Sequence, residues 1–465
     1  MTSGPIAESG ETGQVKRMPQ DNESRALVAA LIEYARKEGA DAAEASLAWR
    51  ESVSVDVRLG ELEGVEREES RSIALRAFRG KRQAAASSTD LSDAGLKALA
   101  ERVAAMAGYA PEDPYCGLLE PQYRASGEAL DLEQQDSARP SADALRDMAL
   151  ACEAAALAIE GVSNSAGAGA GSEASFFVYA TSDGFEGADG ATSYSLGAQP
   201  IAERDGKMER DYEYKTKRFL ADLPAPDTIG KTAGERAAAR LGSRKLNSQR
   251  APVIFENRLA SRIISPFLSG ISGAAVARGT SFLKDKLGQR VFSEAFAIRE
   301  DPFVKRGLAS HAFDGEGGKV APADLVRDGV VSMWLLNAAA ARQLGMAPNG
   351  HATFGHGGPP GISTSNLSVK PGSDDRAAMM RNLGQGLVVT EMFSPALNMN
   401  TGDWSVGVAG FWFENGERAY PVSEITVAGN LLEIYARVIA GADVERRGAI
   451  DIPSLLVEDL AIGGV

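Results

Sequence analysis

The stretch from residue 257 to residue 288 constrains the fold more than any other part of the sequence. Pro266 lies within its first half, and because proline lacks a backbone N–H we expect it to kink or restart a helix there. Glycine, alanine and serine dominate 270–275, where another backbone segment can approach closely. The apolar residues before them follow the spacing i, i+4, i+5, i+8, i+9 of one helix face: Leu259, Ile263, Ile264, Phe267 and Leu268. The stretch therefore predicts a buried helix with a closely packed neighbour at its end.

The first half of the chain predicts one α/β domain at 21–245, preceded by a disordered tail at 1–20. Strict alternation at 52–59 predicts a strand, and a second strand is predicted at 72–77, with the polar segment 60–71 as their connector. Apolar periodicity predicts helices at 91–106, 141–159 and 230–241. Four prolines punctuate 110–140, which is therefore predicted to be a long connector within this domain.

Glycine recurs between Gly161 and Gly171, a pattern that raises the question of a phosphate-binding loop. The segment lacks the Gly-Lys-Ser/Thr of a P-loop, and it precedes a predicted strand instead of opening a helix. We therefore expect a flexible turn here.

The second half, 246–465, predicts a β-rich domain. Asp328-Gly329 and Asn415-Gly416 are hairpin signals, and glycine-rich turns occur at 315–318 and 355–361. Strands are predicted at 330–336, 387–393, 404–413, 419–422 and 425–428, with short helices at 337–344 and 431–439.

Composition excludes several classes of function. The formal net charge is −14, which disfavours a sequence-independent grip on nucleic-acid phosphates. Cys116 and Cys152 have no metal-binding spacing, so we expect idle thiols in a reducing compartment. No apolar run is long enough to span a bilayer, and the N-terminus has no apolar leader segment. We expect a cytoplasmic protein with no membrane contact.

Few side chains suggest chemistry of their own. His351 and His356 are five residues apart, so only a loop could bring them together, and His311 has no second histidine nearby. A metal site from these three with Asp314 or Glu316 is one interpretation, and surface or loop histidines are the other. Asp314 and Glu316 could also act as an acid–base pair, but we expect them to bond backbone groups and shape a turn.

Several phrases resemble the TldD/PmbA family, and most closely its PmbA branch, also called TldE. They are Leu268-Ser269-Gly270-Ile271-Ser272-Gly273, Ser281-Phe282-Leu283-Lys284-Asp285, Phe313-Asp314-Gly315-Glu316-Gly317, Asn366-Leu367-Ser368-Val369-Lys370-Pro371-Gly372, Asn398 to Ser405, and Ala428-Gly429-Asn430-Leu431. The resemblance implies an α+β protein: an α/β N-terminal domain plus a mixed, largely antiparallel β C-terminal domain that is partly barrel-like.

The TldD branch of that family carries His-Glu-x-x-x-His on the helix that 257–270 resembles. Aligned on the shared Leu-x-Gly, these positions fall on Ser261, Arg262 and Pro266, none of which is a suitable zinc ligand or water-activating base. The third ligand of that branch is a cysteine near the C-terminus, and this sequence has no cysteine after Cys152. The resemblance therefore implies no catalytic residue, no metal ligand and no cofactor in this chain.

The resemblance further implies a metal-free subunit that closes a proteolytic chamber in a heterodimer with a TldD-like, zinc-bearing subunit, with a homodimer possible in isolation. Such a subunit would hold unfolded or modified peptides. Its candidate peptide-binding residues, carried over from the family phrases, are Asn366, Ser368, Thr390, Asn398, Thr401 and Gly402. Two alternatives remain: a self-associating, gyrase-linked modulator without a peptidase partner, and an autonomous hydrolase that uses one of the three histidines.

Overall fold

The computed structural model describes residues 21–125 and 130–465, so the tail predicted at 1–20 lies outside the described residues. Elements of the first half are α1 (Asp21–Lys37), β1 (Ala42–Arg58), β2 (Glu61–Arg79), β3 (Arg82–Ser88), α2 (Asp93–Tyr109), α3 (Ala142–Leu157), β4 (Val162–Thr181), β5 (Glu186–Arg204), β6 (Lys207–Arg210), β7 (Glu213–Lys217) and α4 (Pro226–Ala239). Between α2 and α3 the described residues hold only a short 3-10 helix, Pro121–Tyr123.

These strands form one antiparallel sheet in the order β3-β2-β1-β4-β5-β6, with β7 also paired to β5. Odd-numbered residues of β1 pack against helices along the whole strand, Leu47 against α1 and α2 and Val55 against α3 and α4. Because side chains alternate between the two faces of a strand, the four helices lie on one face. The opposite face, which carries the even-numbered residues of β1, is here called the inner face.

The polar segment 60–71 is not a connector, as predicted, but the first half of β2. A tight turn at Leu59 and Gly60, both with positive φ, joins it to β1. Residues of β2 before Arg71 are exposed on nearly every position, so the segment shows no alternation that a burial pattern could reveal. Backbone pairing with β1 therefore overrides the polar composition.

The glycine-rich segment 161–171 is likewise not the flexible turn we predicted. It forms the first half of β4, and its alanines Ala168 and Ala170 pack against Cys152 of α3. The glycines alternate with these alanines and therefore face the inner side of the sheet. Because the residues on both faces of this strand are small, its sequence shows no alternation of apolar and polar residues. Pairing with β1 and β5 nevertheless makes it a strand.

The second half contains β8 (Gln249–Phe255), α5 (Asn257–Gly270), α6 (Gly273–Ala277), β9 (Ile298–Asp301), β10 (Ala323–Arg327), β11 (Val330–Val331), α7 (Ala338–Leu344), β12 (Asn366–Val369), α8 (Arg376–Leu383), β13 (Gly386–Leu397), β14 (Asp403–Glu414), β15 (Glu417–Asn430), α9 (Leu431–Arg437), β16 (Ile439–Ala440), β17 (Glu445–Arg447), β18 (Ile450–Ile452) and β19 (Leu455–Gly463). The strand predicted at 330–336 is thus limited to β11. The two predicted strands at 419–428 are one strand, interrupted by a bulge next to Glu424.

Two sheets organise this half. One has the order β11-β10-β9-β12-β18-β17, and the other has the order β15-β14-β13-β8-β19-β16 with β15 also paired to β19. That additional pairing closes β15, β14, β13, β8 and β19 into a ring. The predicted α+β class, with a partly barrel-like second half, is confirmed.

Helix α5 packs its apolar stripe into the core between these two sheets. Leu259, Ile263, Ile264 and Phe267 are at most 1% exposed, as the sequence predicted. The helix does not restart at Pro266, because α5 continues through this residue to Gly270. The buried hydroxyl of Tyr435 donates to the carbonyl of Ile263 at 3.0 Å. Close approach follows at Gly273, where an added Cβ would lie 2.9 Å from the carbonyl oxygen of Leu335.

Candidate functional site

The outer face of α5 carries the positions at which the metallopeptidase motif would fall. Ser261 and Pro266 are half-buried there and Arg262 is exposed. Arg262 donates through a guanidinium nitrogen to the carbonyl of Met392 at 2.6 Å. A hydroxyl, a guanidinium and a proline ring do not fit a zinc ion, which requires imidazole, thiolate or carboxylate donors. Across residues 21–125 and 130–465, no three side chains of His, Cys, Asp or Glu are grouped so that they could hold a metal ion.

Strand β13 runs beside this face and leaves part of one edge without a strand partner. Residues 387–389 pair with β8, whereas within the described residues 391–397 pair only with β14 on the other side. Arg262 occupies one acceptor on the open side, the Met392 carbonyl. Phe393 is 42% exposed at this edge. An open strand edge beside a helix can add an extended peptide through backbone hydrogen bonds.

A buried ion network anchors the start of α5 to the first half of the chain. Arg258 contacts a carboxylate oxygen of Asp211 at 2.5 Å and one of Glu256 at 2.6 Å. Burial alone would lower the pKa of Arg258, but the hydrogen bonds and charges of the two carboxylates raise it. Its guanidinium also lies 5.3 Å from the ring centre of Tyr212. These contacts fix the helix against the segment that leads into β7.

The end of the inner face near Asp56 is here called the open end, and it lies next to the segment that leads into β7. Asp56 of β1, Gly169 of β4, Gly197 of β5 and Tyr214 of β7 are direct neighbours across the four strands. The two glycines leave a floor without side chains, and the cavity above it measures about 580 Å³. The ring of Tyr214 stacks on that of Tyr212 with 5.9 Å between centres. The cavity thus extends from the β1–β2 hairpin to the neighbourhood of α5.

Tyr212 links this cavity electrostatically to the outer face of α5. Burial raises the pKa of its hydroxyl, and the charges of Arg258 and Arg262 oppose that rise. Arg262 is therefore within electrostatic reach of the tyrosine pair. We group the cavity, the outer face of α5 and the open edge of β13 under one name, the peptide surface: the residues Asp56, Gly169, Gly197, Tyr212, Tyr214, Ser261, Arg262 and 391–397.

The candidate peptide-binding residues are not brought together. Asn366 is buried, accepting from the backbone N–H of Ala309 at 3.1 Å and donating to the hydroxyl of Ser310 at 2.7 Å. With Ser368 it lines a different cavity of about 390 Å³ between the two halves of the chain. Thr390 is buried on β13.

The other three of these residues lie in the turn between β13 and β14. The Asn398 side chain accepts from the N–H of Asn400 at 3.0 Å, and Thr401 donates to Asp403 at 2.7 Å. Gly402 has a positive φ of 81°. The local hydrogen bonds of Asn398 and Thr401 and the positive φ of Gly402 therefore account for these residue types through the shape of the turn.

The covered end of the inner face holds a buried charged cluster. Arg76 donates to both carboxylate oxygens of Glu44 at 2.8 and 2.9 Å, and the Tyr179 hydroxyl donates to Glu44 at 2.8 Å. From the second half of the chain, Glu316 comes within 3.9 Å of Arg76 and accepts from the N–H of Ala338 at 2.8 Å. Burial, and then the charge of Asp314, raise the pKa of Glu316 to about 7.

Asp314 bonds backbone groups on both sides of its loop. One carboxylate oxygen accepts from the N–H groups of Glu316 at 3.0 Å and Gly318 at 2.7 Å, and the other accepts from Ala352 at 3.2 Å. Burial raises its pKa, and these hydrogen bonds oppose the rise. Asp314 and Glu316 do not reach the peptide surface, because both belong to the buried loops that pack on the covered end of the inner face.

The three histidines lie in separate environments. His311 contacts the carbonyl of Ala309 at 2.9 Å. His356 is exposed and bridges the hydroxyls of Ser46 at 3.1 Å and Ser72 at 2.8 Å on the inner face. Partial desolvation of its ring against the sheet lowers the pKa of His356.

His351 lies in a loop, as one of the two interpretations expected, but it is buried and not at the surface. Its Nε2 lies 2.7 Å from the Glu300 carboxylate and its Nδ1 lies 2.8 Å from the amide oxygen of Asn349. The Asn349 amide nitrogen donates to the Trp334 carbonyl at 2.8 Å, which fixes the orientation of the amide, so Nδ1 of His351 carries a proton. Burial raises the pKa of Glu300, but the His351 contact and the Ser365 backbone hold it below its usual value.

The residues predicted from the sequence to form a site do not include Asp56, Gly169, Gly197, Tyr212 or Tyr214. One signal was present: glycines at 167, 169 and 171 alternate with alanines at 168 and 170, which is a strand period of two. The tyrosines carried no comparable signal because their neighbours across the sheet are distant in sequence.

The chain combines an antiparallel sheet backed by four helices with a closed β ring that packs against α5. The sequence matches three successive family models: PmbA/TldA metallopeptidase domain 1 at 43–107, the central domain at 135–241 and the C-terminal domain at 248–464. The chain belongs to the PmbA/TldD family, in its PmbA branch, as the resemblance predicted. No helix in the described ranges is long and apolar enough to cross a bilayer.

Individual relatives cover nearly the whole chain. Metalloprotease PmbA of Escherichia coli O157:H7 is 36% identical over 426 residues, which is 91% of this chain and 92% of that protein. Its homologue in Haemophilus influenzae is 36% identical over 96% of this chain and 97% of its own length.

Solved structures agree with the fold. A Bacteroides thetaiotaomicron protein described as a proposed modulator of DNA gyrase has a TM-score of 0.88 and 25% identity, covering 96% of this chain and 99% of its own. TldE from Thermococcus kodakarensis, at 18% identity, has a TM-score of 0.84 over 94% of this chain and 100% of its own, and supports the fold alone.

Proposed function

We propose that this protein is the non-catalytic subunit of a zinc metallopeptidase of the TldD/TldE type. It would enclose and bind unfolded or modified peptides for proteolysis, while a TldD-like partner in a heterodimer supplies the zinc. The observation that carries the proposal is the outer face of α5, where a hydroxyl, a guanidinium and a proline ring stand at the positions of the metal-binding motif. This face nevertheless lies beside an open strand edge suited to an extended peptide.

The chemistry expected of this chain is therefore binding and positioning. Residues 391–397 would pair with the peptide backbone, and the cavity at the open end of the inner face would receive the chain on its way to the partner. Because peptide backbone groups need partners once they are taken out of water, an open edge stabilises an extended substrate without reading its sequence. No side chain of this subunit acts on the scissile bond in this scheme.

The test is cleavage of an unstructured peptide by the chain alone, by a TldD-type partner alone and by the two mixed, with zinc content measured in each preparation. We expect no bound zinc and no cleavage for the chain alone, and cleavage that a chelator stops for the mixture. A partner whose motif histidines are replaced serves as the control and should give an inactive mixture. Stoichiometric zinc and chelator-sensitive cleavage by the chain alone would refute the proposal.

A second function rests on the relatives described as proposed modulators of DNA gyrase. In that case the chain would associate with itself and act on its target without a peptidase partner. Affinity capture from a cell extract distinguishes the two: recovery of gyrase without a TldD-type protein favours modulation, and recovery of the TldD-type protein favours the subunit role.

A further inference from the structure

The open end of the inner face is a channel floored by residues with little or no side chain. Gly169 and Gly197 are paired across β4 and β5, and the next pair along the strands is Gly171 with Ser195. An added Cβ at Gly197 would lie 2.7 Å from the Cβ of Tyr214. The floor therefore admits another backbone only as long as these positions stay small.

One wall of the channel is acidic. Asp56 lines the cavity beside Gly169, and Glu66 of β2 lies beside Ser54 in the next row of the same face, outside the cavity lining. An added Cβ at Gly169 would be 2.7 Å from a carboxylate oxygen of Asp56, so this side chain leans over the floor. Neither Asp56 nor Glu66 forms an ion pair with any residue that the structure describes. Their charges are therefore available to a ligand.

The opposite wall is aromatic. Tyr214 is 53% exposed and stacks on Tyr212, so one ring face of the pair borders the channel. From β1 to β7 the channel crosses three interstrand spacings, or about 14 Å, which accommodates one extended chain with its side chains. Carboxylates on one side and the faces of tyrosine rings on the other both attract an organic cation.

From this arrangement we infer that the channel is a subsite for a lysine or arginine side chain of the peptide. This inference rests on the proposed function, because it names the substrate class that the peptide surface selects. The cationic head lies between Asp56 and Tyr214, where the charge of Glu66 one row away adds to that of Asp56, while the peptide backbone crosses the glycine floor towards α5. A phosphate-bearing ligand is repelled by the same carboxylates.

The test compares the affinity of the full chain for two fluorescently labelled, unstructured peptides of equal length, one with lysines and one with glutamines at the same positions. We expect the lysine peptide to bind about tenfold more tightly at low salt and to lose this advantage as salt increases. The Asp56→Asn, Glu66→Gln double variant should remove the preference. Tyr214→Ala should weaken lysine-peptide binding about threefold. Glu101→Gln, which removes an exposed carboxylate from α2 on the helix-covered face, is the matched control and should change nothing.

Equal binding of the two peptides, or a preference that survives in the double variant, overturns the inference. The variants are compared by circular dichroism and thermal unfolding so that a loss of fold is not read as a loss of binding. The cleavage assay of the mixed complex is run with the glutamine peptide. The subunit role therefore stands or falls on that assay, independently of any preference for lysine.

Discussion

The two ends of the inner face share the same strands but have opposite chemistry. At the covered end, loops of the second half of the chain bury Glu44, Arg76 and Tyr179 under Glu316. At the open end, Asp56 is exposed and lines the cavity together with two glycines. The continuous backbone pairing of β1 with β4 holds the two ends in fixed relation.

The comparison shows that one sheet can serve as an interior and as a binding surface. The covered end keeps charged groups only because each has partners at hydrogen-bond distance, since an unpaired buried charge is strongly destabilising. At the open end, Asp56 and Glu66 have no ion-pair partner among the described residues because water solvates them, and the small residues beside Asp56 leave room for the cavity. Three comparisons of variants test whether this division is real.

The largest effect is expected for Arg76→Met. It leaves the Glu44 carboxylate buried without its cation and should lower the free energy of unfolding by about 3–5 kcal/mol. Arg50→Met, on the same strand system towards the open end, removes an ion pair whose arginine side chain is 53% exposed and should cost no more than about 1 kcal/mol. Urea denaturation measures both.

Adding Glu44→Gln to Arg76→Met should recover much of the lost stability, because the unpaired charge is then gone. Similar losses for Arg76→Met and Arg50→Met would mean that the two ends of the face do not differ in the way described.

The second effect is a pH dependence at Glu316. Its pKa is raised to about 7 by burial and by Asp314, with Arg76, Glu44 and Tyr179 also facing it. A raised folded-state pKa gives stability that is complete below the unfolded value of 4.5 and is lost as pH rises through about 7. At about 1.4 kcal/mol per pKa unit, the loss between pH 4.5 and pH 8 is roughly 3 kcal/mol.

Denaturation of the parent protein and of Glu316→Gln at several pH values measures this contribution. Gln cannot ionise and can still accept from the N–H of Ala338, so the stability of the parent relative to the variant should decrease as pH rises. A difference that is independent of pH would show that the pKa of Glu316 is the same in the folded and the unfolded protein.

The smallest effect separates two glycines on adjacent strands of the same face. In Gly187→Ala the new Cβ would lie 2.5 Å from the ring of Phe313, which is buried against Phe185, so we expect a loss of about 1–3 kcal/mol. In Gly169→Ala the new Cβ would come closer than 3 Å only to the end of the exposed Asp56 side chain, which can move, and the change should stay within about 0.5 kcal/mol. Thermal unfolding compares them, and a larger loss at Gly169 would contradict an open channel.

The elements that could be predicted from the sequence are those whose apolar pattern lies within a short stretch of the chain. The stripe of α5 and the alternation in the second half of β1 are visible within a dozen residues, and both were predicted. The first halves of β2 and β4 were missed, because β2 is exposed on both faces there and β4 is built from glycine and alanine. Their pairing with β1 is a property of the sheet that no single window contains.

The candidate site was predicted only in part, for the same reason. Ser261, Arg262 and Pro266 were placed by a motif resemblance, and the structure puts them on the outer face of α5. The Glu44–Arg76 pair joins residues 32 positions apart, and the tyrosine wall faces Asp56 across more than 150 positions. A clue to the buried pair exists in retrospect, because Glu44 and Arg76 each interrupt a run of apolar residues.

The closed ring of the second half has a consequence for synthesis of the chain. Leu455 of β19 pairs with Phe255 of β8, so the ring cannot close until the ribosome has released the residues beyond 455. The β1–β2 hairpin, by contrast, can form as soon as its own residues emerge. During translation, the edge of β8 and the apolar stripe of α5 therefore stay exposed until β19 has left the ribosome. In this interval the chain has the most apolar surface that a chaperone could cover.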